Sequence, residues 1–306
     1  MKKIISLLLT IPFFYSCENI FKVFQEEDLL QRPEAKRCSD CHKDIYNQWI
    51  NSRHSKSWIS EGYKKATNHY KKTKCYACHI PYEIKIGEKP DFREKHRNDG
   101  INCVSCHFRD ETKSMHAEYD VFSPPHPSTQ DLNYTKSQIC SGCHQKTFNQ
   151  WKEAKTNKNC QSCHMPSKKG SLIQKFPFEY LHTRKEVHNH SFPTGKAKKE
   201  DFLISVDRLK NKIFVSIENI NIPHNLPTAD NGKPKFYLTV LFIQDNDEIG
   251  LDRYMFTPAD PIPYKKEKVL TFQSFESFNA VKIVLERKLS WKKKKEKILE
   301  IEKRFD

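Results

Sequence analysis

The chain has 306 residues, with 53 Lys and Arg against 38 Asp and Glu for a formal net charge of +15, 37% hydrophobic residues and a mean hydropathy of −0.79. So few apolar side chains cannot build a conventional core of this size: part of the chain is disordered, or something other than side chains fills the interior. The basic residues are scattered apart from the run Lys292–Lys295, so the charge reads as a solvated surface and no nucleic-acid partner is expected.

Residues 1–17 come first. Lys2 and Lys3 precede an apolar run from Ile4 to Phe14, followed by Tyr15-Ser16-Cys17. The run is shorter than the ~20 residues a spanning helix needs, and it has the layout of an export signal. A small residue directly before Cys17 resembles a bacterial lipoprotein signal. That resemblance implies an exported chain in the periplasm or cell envelope, tethered by lipid on Cys17. The alternative is an ordinary cleaved signal with Cys17 incidental. No later stretch approaches spanning length, so a lipid anchor is the expected membrane contact. Residues 18–36 read as a linker.

An oxidising compartment changes the meaning of the remaining ten cysteines. All ten fall in one pattern: Cys38-Cys41-His42, Cys75-Cys78-His79, Cys103-Cys106-His107, Cys140-Cys143-His144 and Cys160-Cys163-His164. Four-thiolate zinc sites consume such pairs two at a time, and five is odd. Neither zinc ribbons nor dithiol redox motifs require the histidine. With 14 histidines in 306 residues, chance would place one after every pair about twice in ten million trials. Five Cys-x-x-Cys-His motifs predict five covalently bound c-type haems. The thiols add across the vinyl groups, and the adjacent histidine is the proximal iron ligand.

Nine histidines remain to supply distal ligands. There are four methionines: Met1 leaves with the signal, Met165 adjoins His164 and cannot reach the opposite face of the same ring, and Met115 is a weak candidate. Lys43 to Trp58 reads as a helix, with Ile45, Trp49 and Ile50 at helical spacing. Twelve residues of unbroken helix span ~18 Å, so His54 is expected to serve a haem other than that of His42.

Three stretches resemble periplasmic multihaem cytochromes c related to the tetrahaem cytochrome that accepts electrons from hydroxylamine oxidoreductase. They are Trp49-x-x-Ser52-x-His54, Gly100-Ile101-x-Cys103, and the run from Cys160 to Pro166. Two later segments, "HNHSFPTG" (188–195) and "PHNLPTAD" (223–230), extend the likeness, which covers residues 36 to 230. It implies His190 and His224 as distal ligands, the second segment departing from the pattern at Pro223 and Ala229. His116 and His126, between the third and fourth motifs, complete the candidate set. His69, His96, His182 and His188 read as surface residues.

After Phe202 the cysteines stop. "FLISV", "KIFVSIEN", "KFYLTVLFIQ", "VLTFQSF" and "AVKIVLERKL" are strand-like runs, with "DRLKN" and "DNDEIG" as turns. The expected architecture is therefore a mainly α, haem-cored domain with little regular structure over 37–198. A small all-β, sandwich-like domain over 199–290 follows, and then a basic amphipathic helix over 291–306.

The function this predicts is electron transfer between redox partner proteins, such as a quinol oxidase, a reductase or another cytochrome, through mostly bis-His haems. One alternative is a haem enzyme acting on a small nitrogen or sulfur compound at a five-coordinate haem. Against it, pentahaem nitrite reductases carry lysine at the catalytic motif, whereas all five motifs here carry histidine. The other alternative is a lipid-anchored subunit of a larger redox complex. No catalytic residue is assigned.

Overall fold

The computed structural model describes residues 31–121 and 126–305. Residues 1–17 and the expected lipidation site Cys17 lie outside them. Two compact units divide the chain. One runs up to Cys143 and resumes over Asn159–Thr194; the other is made of His144–Lys158 and the chain from Gly195 onward. The helical segment after the fourth motif thus belongs with the β-rich unit, a nesting that the expected boundary near residue 198 does not contain.

The first unit is made of short pieces. Its helices are α1 (Ala35–Cys38), α2 (Lys43–Ile50), α3 (Glu61–Ala66), α4 (Tyr76–His79) and α5 (Cys103–His107), with α7 (Cys160–His164) after the chain returns; α6 (Gln145–Glu153) lies in the other unit. None of these reaches the roughly 12–15 residues at which an isolated helix becomes self-sustaining. Strands β1 (Phe108–Arg109), β2 (Ser114–Ala117) and β3 (Ser128–Gln130) form a small mixed sheet, and β4 (Ser167–Gly170) pairs with β5 (Lys185–His188) as a hairpin. The expectation of a mainly α fold is not supported: over the two units together strand, at 31%, exceeds helix, at 23%, and the helices of this unit are all short. Each Cys-x-x-Cys-His motif needs only one turn of helix, so five motifs create little helix in total.

The helix expected over Lys43–Trp58 stops at Ile50. The serines that follow compete for backbone groups: the Ser55 hydroxyl donates to Ile50 O at 2.9 Å, and Ser55 N donates to Ser52 Oγ at 3.1 Å. The resulting turn packs on Gly100, whose φ is +61°. A Cβ there would lie 2.4 Å from His54 O and 2.6 Å from Ser55 O. Ile101 N donates to His54 O at 3.0 Å, and the Trp49 indole donates to Ile101 O at 2.7 Å. The two stretches Trp49–His54 and Gly100–Cys103 are thus one packed corner.

The second unit holds seven antiparallel strands: β6 (Phe202–Leu209), β7 (Lys212–Asn219), β8 (Lys235–Gln244), β9 (Asp247–Phe256), β10 (Lys268–Gln273), β11 (Ala280–Lys288) and β12 (Glu296–Arg304). They form a three-stranded sheet, β10-β7-β6, and a four-stranded sheet, β12-β11-β8-β9. Alternate residues face inward, such as Ile213, Val215 and Ile217 from the first and Leu238, Val240, Ile283 and Leu285 from the second, in one shared cluster. The turn after β8 is only Asp245-Asn246, both at positive φ as a tight hairpin requires. "DEIG" therefore opens β9, a strand whose charged outer face hides it from pattern reading.

The C-terminal helix expected over 291–306 is also corrected, because residues 296–304 are the edge strand β12. Leu299 and Ile301, two apart, pair with Leu285 and Ile283, and a bulge between Leu285 and Glu286 resets the register at Ile298. An alternation of two with one bulge had mimicked a helical stripe.

Candidate functional site

Each Cys-x-x-Cys-His motif turns tightly enough to bring two thiols and an imidazole together. In α5 the Asn102 side chain caps the helix by accepting from Ser105 N at 3.0 Å, and in α7 Asn159 does the same for Ser162 N at 2.8 Å. In the first motif His42 N donates to Cys38 O at 2.9 Å. None of the ten motif cysteines is in a disulfide. Desolvation pushes Cys106 up to about 11 and raises Cys41. Cys38 and Cys103 share a hydrogen bond, as do Cys140 and Cys160, so anchors of the first and third motifs adjoin, as do those of the fourth and fifth. Among the described residues no group of three or more His, Cys, Asp or Glu side chains is arranged to hold a bare metal ion.

All five motif histidines give Nδ1 a fixed partner. His42 donates to Leu172 O at 2.7 Å, His79 to Ser57 O at 2.8 Å, His107 to His116 O at 2.7 Å and His164 to Pro193 O at 3.1 Å. His144 Nδ1 lies 3.8 Å from Asp230 Oδ2, and the same carboxylate accepts from Lys146 N at 2.7 Å. A carbonyl acceptor fixes the proton on Nδ1 and leaves Nε2 with its lone pair, the arrangement of a metal-ligating histidine. Desolvation, with His190 nearby, pushes His107 down to about 4, and desolvation lowers His42, His126 and His190 as well. These imidazoles are neutral near neutral pH.

The spare histidines divide by position. His126 faces His42 with ring centres 6.2 Å apart, and His190 faces His107 at 6.1 Å, each pair tilted by 36°. Two imidazoles joined through one iron, with metal–nitrogen bonds of about 2 Å, hold their ring centres about 6.3 Å apart. His190 is steered by a bond from its Nδ1 to His188 O at 2.8 Å and by Gln48 Oε1 on its backbone N–H at 2.9 Å.

His116 is placed differently. Its Nδ1 meets Asp131 at 3.3 Å and its Nε2 meets Thr112 Oγ1 at 2.7 Å, while its carbonyl holds His107. Both of its ring nitrogens thus have side-chain partners. His54 lies in the turn after α2 with its ring 4.0 Å from Phe192. His224, in the second unit, directly precedes Asn225, whose N–H donates to Gln150 Oε1 of α6 at 3.2 Å. His69 and His96 are exposed, whereas His188 bridges Met165 O at 2.8 Å and Glu118 at 3.2 Å.

Sequence reading did not find the five Nδ1 acceptors. Four are backbone carbonyls, which have no residue-type signature. The fifth, Asp230, stands in the "PHNLPTAD" segment and is the one a search for a carboxylate partner could have reached.

These residues fit a covalently held porphyrin iron. Thiol pairs, oriented imidazoles and facing histidines are present. Among the described residues, the buried apolar clusters of the first unit are Val104 with Phe108, and Trp58 with Tyr63 and Ile80, against eighteen residues in the sandwich cluster.

A family described as "Cytochrome c554 and c-prime" has a model matching residues 37–108, less than half of the chain. No curated protein matches. A solved structure described as a penta-heme cytochrome c552 from Thermochromatium tepidum superposes with a TM-score of 0.63 at 18% identity, covering 90% of this chain and 99% of that one. At that identity the likeness speaks for the fold.

Proposed function

We propose that the chain is a multihaem c-type cytochrome carrying five haems and passing electrons between redox proteins. The observation that carries this reading is the treatment of the five motif histidines: each has Nδ1 committed to a fixed partner, and two face a second histidine at iron-bridging distance. When bound, each haem supplies a ferric/ferrous couple that takes up and gives on one electron. The ten thiols hold the rings to the chain. His42, His79, His107, His144 and His164 are the proximal ligands, with Nε2 on the metal side.

His126 is the proposed distal partner to His42, and His190 to His107. His54 and His224 remain the distal candidates for other motifs. His116 is reassigned to orient His107. Two strong-field imidazoles on one iron favour low-spin metal that changes little on reduction, which suits a carrier better than a catalyst. The adjoining anchor thiols put the first and third sites side by side, and the fourth and fifth likewise, as relay between sites requires. The family description and the penta-heme neighbour support the same reading. The likeness to an acceptor of hydroxylamine oxidoreductase carries no partner with it.

Export and lipidation at Cys17 belong to the same proposal, supported by the charged and apolar leader and by the need for haem attachment outside the cytoplasm. The test is expression with a cytochrome c maturation system, followed by haem counting through the pyridine haemochrome and intact mass. Five haems per chain are expected. A colourless chain, or one that takes up zinc at the thiol pairs, would overturn the reading.

A further inference from the structure

Strands β4 and β5 are joined by a loop of fourteen residues, 171–184, far longer than a hairpin needs. Its rising limb is tied to the first motif: Leu172 O accepts from His42 Nδ1 at 2.7 Å, and Gln174 N donates to Cys41 O at 2.8 Å. The tip does the opposite of packing. Phe176, Tyr180 and Leu181 are 75%, 76% and 68% exposed, with Phe176 and Tyr180 edge to face at 6.2 Å. At the base of the loop Lys168, Lys169 and Arg184 are exposed, and the Arg184 guanidinium donates to Lys169 O at 3.3 Å. Residues 167–188 carry five Lys or Arg against two Glu.

We propose that the 171–184 loop is the docking surface for an acidic redox protein, which seats on Phe176, Tyr180 and Leu181 and exchanges electrons at the first haem site. This rests on the haem reading above. An exposed aromatic tip on a segment of net positive charge has the composition of a transient protein interface, in which charge steers encounter and the apolar centre holds it. An anionic membrane is the other surface such a loop could meet. Glu179, between Phe178 and Tyr180, argues against it, because inserting the aromatic tip would carry a carboxylate toward the acyl chains. The loop also touches the iron ligand it serves: a partner pressing on the tip acts on the carbonyl that orients His42.

The test uses the holoprotein with its haem content measured first, so that failure of the haem reading is seen separately. Reduced flavodoxin, a small acidic one-electron donor, is the probe. Its hydroquinone is oxidised to the semiquinone as one ferric iron is reduced to ferrous, followed by stopped flow, and binding of the two oxidised proteins is measured by calorimetry. In the variant with Phe176→Ser, Tyr180→Ser and Leu181→Ser, both the second-order rate and the affinity are expected to fall about tenfold. Reversal at Lys168→Glu, Lys169→Glu and Arg184→Glu is expected to flatten the salt dependence of the rate. Reduction by the small methyl viologen radical should be unchanged in both. Full haem content with an unaltered flavodoxin rate and affinity in both variants would overturn the proposal. So would serine variants that lose only sedimentation with phosphatidylglycerol vesicles.

Discussion

At the scale of single residues, an imidazole is made a ligand by what holds its other nitrogen. His107 and His116 show the contrast within nine positions of chain. His107 gives Nδ1 to a carbonyl and has the ring of His190 centred 6.1 Å away, whereas His116 has Asp131 and Thr112 on its two ring nitrogens. The His126→Ala and His190→Ala variants are therefore each expected to convert one low-spin iron into a high-spin one that binds carbon monoxide, read by electron paramagnetic resonance and by the optical spectrum. His116→Ala is expected to keep every iron low-spin while shifting one potential. Loss of a low-spin signal in His116→Ala, or none in His190→Ala, would reverse the assignment. Gly100 is a second decisive residue. Its positive φ and the carbonyls of His54 and Ser55 leave no room for a Cβ. Gly100→Ala should cost about 1–3 kcal/mol, seen as a lower melting temperature.

At the scale of elements, short helices and long strands obey different physics. A motif helix of four or five residues cannot sustain itself, so its stability comes from outside the helix, as with the asparagine caps of α5 and α7 and the proposed covalent attachment. The strands stand on mutual burial. Ile283 and Leu285 in β11 are fully buried between β8, β12 and the facing sheet. Leu285→Ala is expected to destabilise the second unit by about 2–5 kcal/mol in denaturant unfolding, with haem spectra unchanged. Acid should act on the same unit through Asp260, whose carboxyl is drawn below its usual value by hydrogen bonds first from Lys268 and then from Tyr254. A depressed carboxyl pKa contributes stability above the unfolded value, and that contribution is lost as pH falls through the folded one. The fall in melting temperature below pH 4.5 should be shallower in Asp260→Asn than in the parent, and an identical slope would remove Asp260 from the account.

At the scale of the whole molecule, the two units differ in what fills them. The sandwich has its own apolar cluster, while the first unit has two small ones for a longer stretch of chain. Chain made without haem attachment is expected to show dispersed amide resonances from the sandwich alone, the first unit gaining native dispersion only with its haems. Native dispersion throughout a haem-free chain would break the link between cofactor and core. The sequence by itself determined the chemistry: ten thiols and five histidines at covalent spacing, the poverty of apolar residues, and most of the sandwich strands, because each is a local pattern written in residue types. Tertiary structure decided the rest. Which histidine lies near which, what holds the rings of His107 and His116, that residues 296–304 pair as an edge strand, and that α6 belongs with the sandwich all depend on groups far apart in sequence. Most of the contacts that settle them run through backbone carbonyls and strand register, which the identity of a side chain does not record.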